Sequence, residues 1–87
     1  MPKVRLTKSA AQSIRDLPKT LGEAALGSLT ALEMDAQAGY RLRGRLTGVW
    51  SLRVGGYRML YVREEGGALV RILALRHRSI VYFSAPR

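Results

Sequence analysis

Cysteine is absent from the chain and histidine occurs once, at position 77. Without thiols there is no disulfide framework and no thiolate metal site, and one imidazole cannot assemble a zinc centre by itself. Only six acids occur in 87 residues. Two of them, Glu64 and Glu65, fall in a turn, which does not suggest the carboxylate cluster of a two-metal nuclease. No stretch approaches the ~18 consecutive apolar residues that a membrane span needs, and residues 1–5 are charged with no apolar run behind them. P-loop, Rossmann and nucleophile-elbow patterns are missing too. These absences predict one cytoplasmic globular domain over residues 1–87, with no metal, no cofactor and no membrane contact.

Basic charge is plentiful, with a net balance of +9. It is unevenly spread: residues 1–39 hold Lys3, Arg5, Lys8, Arg15 and Lys19 against Asp16, Glu23, Glu33 and Asp35. Residues 40–87 hold ten arginines and no lysine against Glu64 and Glu65 alone. A field of this kind attracts an anionic partner such as nucleic acid or an acidic protein, and it places the contact on the second half.

Apolar periodicity sets out the elements. Val4 and Leu6 alternate with Lys3 and Arg5 as in a half-buried strand. Thr7 is positioned to cap a helix carrying Ala10, Ile14 and Leu17 on one face, which Pro18 stops. Thr20 and Glu23 have capping-box spacing ahead of Ala25, Leu29, Leu32 and Ala36, predicting a second helix over 20–38 with Gly39 as its left-handed terminator. Residues 40–48 read as a Gly- and Arg-rich loop. Strands 49–54 and 57–63 flank Gly55 and Gly56, a hairpin signal that pairs Arg53 with Arg58 and Trp50 with Tyr61. Trp50, Leu52, Val54, Tyr57, Met59 and Tyr61 then share one face, suited to receive the helices. A third strand of the meander, 68–75, is apolar on both faces apart from Arg71 and belongs inside the sheet. The first strand is expected beside it. The predicted fold is α/β (α+β): two N-terminal helices on one face of a four-stranded, mostly antiparallel sheet, with a basic groove on the other.

Like charges directly opposite each other destabilise a sheet, so Arg53 and Arg58 call for an anion between them. Arg76, His77, Arg78 and Tyr82 crowd the end of the chain. RNA cleavage requires an acceptor for the 2′-OH proton, cations around the phosphate and an acid for the leaving oxygen. Arginine suits the second task, and His77 is the natural proton carrier. Arg41, Arg43 and Arg45 are expected phosphate contacts. An even-numbered turn after Glu64 would put Arg76 on the apolar face, whereas a three-residue turn or a bulge would align it with Arg53 and Arg58.

Residues 42–82 resemble the RelE/ParE toxin superfamily, in Leu42-Arg43-Gly44, in Gly48 through Arg58, in Leu60-Tyr61 and in Arg76-His77-Arg78 with Val81-Tyr82. With the helical pair included, the likeness spans nearly the whole chain. The resemblance implies a toxin held inactive by a cognate antitoxin in a hetero-oligomer. RelE-like members cut messenger RNA in the ribosomal A site, and ParE-like members poison DNA gyrase. The ending is similar to the RelE pattern, which implies a metal-independent endoribonuclease. By that likeness Arg58 and Arg76 stabilise the phosphate, Tyr82 stacks on or orients the base, and Arg78 contacts RNA. RelE carries two lysines before the turn; Ser51 and Arg53 occupy the matching positions here, and a histidine near position 77 serves other members. The alternatives are a gyrase inhibitor and a non-catalytic member that binds only antitoxin or nucleic acid.

Overall fold

Thr7 is the joint between sheet and helices. It follows strand β1 (Lys3–Leu6) with extended backbone, and its hydroxyl accepts the Ala10 N–H at 3.1 Å, capping helix α1 (Lys8–Arg15). The computed structural model describes residues 1–77. Helix α2 (Lys19–Met34) starts one residue earlier than the Thr20 spacing predicts, because the Pro18 carbonyl already accepts the Gly22 N–H at 2.8 Å. Thr20 therefore lies within the first turn and makes no cap. The helix also ends before 38. Asp35 turns to extended backbone and its carboxylate accepts the Gln37 N–H at 2.9 Å, a local bond that competes with further helix.

Among the described residues the sheet has five strands rather than four, in the order β1-β5-β4-β3-β2. The additional one is β2 (Tyr40–Arg41), inside the segment read as a loop; it forms an antiparallel edge on β3 (Trp50–Val54). Two residues are too few to leave a periodic signal. β3 and β4 (Tyr57–Glu64) form the predicted hairpin in the predicted register, with Gly55 at φ +59° in its turn. β5 (Leu69–His77) pairs antiparallel with β4 and parallel with β1, so the apolar strand is interior as expected. The helices cover the face that carries Val54, Met59, Tyr61, Val70, Ile72 and Leu75, and Ala10, Ala25, Leu32 and Ala36 complete the core. Among the described residues no helix is long and apolar enough to cross a membrane.

Gly39 does not end a helix; it permits a close approach. A Cβ there would collide with the Ser51 carbonyl oxygen and the Tyr61 hydroxyl. That hydroxyl accepts the Gly39 N–H at 3.0 Å and donates to the Ala36 carbonyl at 3.3 Å, fastening the segment after α2 to β4. Burial pushes the Tyr61 phenol above its ordinary 10.0 and Asp35 adds to this, while the Gly39 bond and Arg63 oppose it. We expect Tyr61→Phe to cost about 1–3 kcal/mol, since both backbone partners are left unsatisfied, and to lower Tm by ~4–8 °C per kcal/mol in thermal melts. The folded state holds this proton more tightly than the unfolded chain does. Its contribution is therefore complete below pH 10 and is lost as pH rises from there through the folded-state value, a decline that the variant should lack.

Candidate nucleic-acid interface

The turn from β4 to β5 leaves four residues between Glu64 and Leu69, the even number that would turn Arg76 toward the core. A bulge corrects this. Tyr61 pairs with Ile72 and Leu60 with Ala74, so Leu73 is the extra residue, and every later position moves by one. Arg58 then faces Arg76 on one side and Arg53 on the other. Three arginines form a single row across β3, β4 and β5 on the face opposite the one that α1 and α2 cover. Thr7 holds the bulge, its N–H bonding the Ile72 carbonyl at 3.1 Å and its hydroxyl donating to the Leu73 carbonyl at 2.9 Å.

Within the row, Arg53 is exposed, Arg76 half-buried and Arg58 only 7 % exposed. The buried Nε and Nη1 of Arg58 find no hydrogen-bond partner among the described residues. A buried guanidinium between two others is costly on both counts, burial of charge and repulsion. A phosphate in reach of all three would relieve both. Farther along the same face Arg71 donates to Glu64 at 2.8 Å, and Arg5 lies opposite Arg71 on β1. Arg5 and Arg71 escaped the reading of the sequence because their face depends on strand order and on the bulge. The alternation in residues 3–6 is the one signal that could have placed Arg5.

His77 is not brought into the row. It pairs with Tyr57, on the face that carries Val54, and the two rings meet edge to face with centroids 5.5 Å apart. Arg41 lies on β2 and Arg43 and Arg45 flank or enter a 3₁₀ turn, Gly44–Leu46. Arg41 and Arg43 line a concavity of about 600 Å³ with Tyr40, Leu42, Thr47 and Gly48, on the far side of β3 from β4. Arg78 and Tyr82 lie outside the described residues.

Among the described residues, two helices layered on one face of a mixed sheet define a small domain of α+β type, and comparison with known proteins specifies which. Residues 4–82 match the family model described as ParE toxin of type II toxin-antitoxin system, parDE. Toxin RelE of Mycobacterium tuberculosis (strain ATCC 25618 / H37Rv) is 31% identical over 95% of this chain and 88% of its own length. The toxin-antitoxin complex RelBE of the same species superposes with a TM-score of 0.78 at 32% identity, covering 90% of this chain and all of the other. The archaeal RelE-RelB complex from Pyrococcus horikoshii OT3 gives 0.76 at 25% identity, over 88% and 94%. The chain belongs to the RelE/ParE toxin family of type II toxin-antitoxin systems and has the RelE-like fold.

Proposed function

We propose that this toxin is a ribosome-dependent endoribonuclease that cleaves messenger RNA in the A site, works in the cytoplasm and is neutralised by a cognate antitoxin in a hetero-oligomer. The observation that carries the reading is the row Arg53, Arg58 and Arg76, in which a buried, unsatisfied guanidinium stands between two more. In the reaction the ribose 2′-OH gives its proton to water and its oxygen bonds to the adjacent phosphorus, forming a 2′,3′-cyclic phosphate, while the bond to the 5′-oxygen breaks and that oxygen takes a proton from water, with negative charge building on the phosphoryl oxygens in between. Fixed guanidinium groups stabilise that charge more than the ground state, which is the difference that accelerates a reaction. His77 stands on the other face with Tyr57. We therefore assign the acceleration to the arginine row and to placement on the ribosome, with Arg78 and Tyr82 as proposed RNA contacts. Arg41 on edge strand β2 and Arg43 and Arg45 at the 3₁₀ turn are proposed as further contacts to ribosomal or messenger phosphates, apart from the row.

Gyrase inhibition is the second reading, favoured by the ParE description of the matching family model. Expression without antitoxin separates the two. Messages cut within codons, mapped by primer extension within minutes of induction, are the expected result; intact messages with trapped gyrase-DNA complexes would replace it with the second reading.

A further inference from the structure

Among the described residues the rings of Trp50, Tyr57 and Tyr61 are used within the fold. Trp50 stacks on Tyr61 with centroids 6.1 Å apart and carries the Arg63 guanidinium on its face, and Tyr57 meets His77. Tyr40 is the exception. It is 51 % exposed, and among the described residues its side chain has no ring contact and no hydrogen bond. Register sets its direction: Tyr40 lies opposite Ser51, two residues before Arg53 on β3, so its ring leaves the sheet on the side of Arg53, Arg58 and Arg76. From Arg58 it stands two strands away, about 10 Å, and two residues along, about 7 Å.

The surface beside it is concave and cationic. Tyr40 borders the concavity of about 600 Å³ that Arg41, Leu42, Arg43, Thr47 and Gly48 complete, and no acid is among these residues. An exposed tyrosine suits a protein partner as well as a base. Two observations favour a base. The ring shares its face with three arginines and its concavity with two more, and bases stack on rings set beside a cationic track that follows the backbone. A protein interface, by contrast, buries a contiguous apolar centre, and Tyr40 stands apart from the other large apolar side chains exposed among the described residues: Met1 and Leu6 lie at the β1 edge, Leu26 and Met34 on α2.

We propose that Tyr40 is a stacking platform for a nucleobase flanking the phosphate that the arginine row holds, with the base at the mouth of the concavity and Arg43 on a phosphate of the same strand. The proposal deepens the endoribonuclease reading and rests on it. Every base has a π face, so stacking is tolerant of sequence. Tyr40 therefore fixes how far the strand advances over the row and leaves the choice of base to other contacts.

The test is binding of a fluorescein-labelled hexanucleotide RNA to the full-length toxin, followed by fluorescence anisotropy. The RNA is methylated at every 2′-oxygen so that it cannot be cut, and a single abasic nucleotide is moved through it. Tyr40→Ala should weaken binding of the intact strand about 5–150-fold, the cost of losing one base from an aromatic ring. Tyr40→Phe should bind as the parent does. Tyr40→Leu, which keeps apolar bulk on the edge strand, should bind as Tyr40→Ala does. One abasic position should weaken the parent to a similar degree and cost Tyr40→Ala nothing further. The slope of log K against log salt should be equal in the parent and Tyr40→Ala, and shallower by ~0.7 in Arg43→Gln, the value for one single-stranded phosphate. Additive losses from the variant and from every abasic position, or a Tyr40→Leu protein that binds as the parent does, would overturn the proposal. So would parent-like binding by Tyr40→Ala, the result expected of a protein contact; if Arg58→Ala then loses binding, the RNA reading stands without the platform. Absence of binding by the parent would remove that reading and the proposal together.

Discussion

Arg58→Ala should lower the single-turnover rate of messenger cleavage on programmed ribosomes by about 10²–10³-fold, the range found when one fixed donor to a developing oxyanion is removed. The fold should survive. Arg58 faces Arg53 and Arg76, and its buried Nε and Nη1 are unsatisfied among the described residues, so its removal relieves repulsion and a desolvated charge while losing the packing of its stem. The two effects oppose, and the melting temperature should stay near that of the parent. Arg53→Ala, at the exposed end of the row, should act in the same direction with a smaller loss. His77→Ala is the contrast, since its ring meets Tyr57 on the other face. It should leave the rate within a few-fold. A loss of ~10²-fold or more in that variant would instead mark His77 as the general base and would require substrate to reach around the end of β5. An unchanged rate in Arg58→Ala would remove the basis for the proposed mechanism.

Thr7→Val should cost about 2–4 kcal/mol, the sum of a lost helix cap and a part-buried carbonyl left without its donor. The threonine hydroxyl takes part in both, accepting from Ala10 and donating to Leu73 at the bulge. The expected readout is a drop in Tm of ~4–8 °C per kcal/mol, with Thr7→Ser close to the parent because serine keeps the hydroxyl. This variant has a second consequence. The bulge is what turns Arg76 to the side of Arg53 and Arg58, so loosening it should reduce cleavage even at temperatures where the chain stays folded. A Thr7→Val protein with lower Tm and full activity would show that the ladder beyond Leu73 holds the row without help.

The comparisons and the site bear on different levels of the identification. Family membership follows from a match over residues 4–82 and from a relative at 31% identity. The two solved structures compared with it are complexes of toxin and antitoxin. The choice between messenger RNA and gyrase rests on the arginine row and its test.

Local chemistry was enough to determine much of this protein. The hairpin register, including the pairing of Arg53 with Arg58, follows from two glycines between alternating strands, because such a turn permits one pairing that buries Trp50, Val54, Met59 and Tyr61 together. The cap at Thr7, the first helix and the interior place of the third meander strand were legible for the same reason: each depends on neighbours within a few residues. The rest was decided at longer range. Whether Arg76 joined the row depended on a bulge at Leu73 that Thr7 satisfies from 66 positions away, and no periodicity in residues 68–77 distinguishes a bulged strand from a regular one. That same shift carried His77 to the far face. Edge strand β2 exists because β3 offers it a free ladder, and Gly39 owes its place to the Ser51 carbonyl and the Tyr61 hydroxyl rather than to any helix end. Side-chain type and short spacing set which residues can meet an anion; the facing of each one came only from the pairing of distant strands, where one extra residue inverts every side chain that follows.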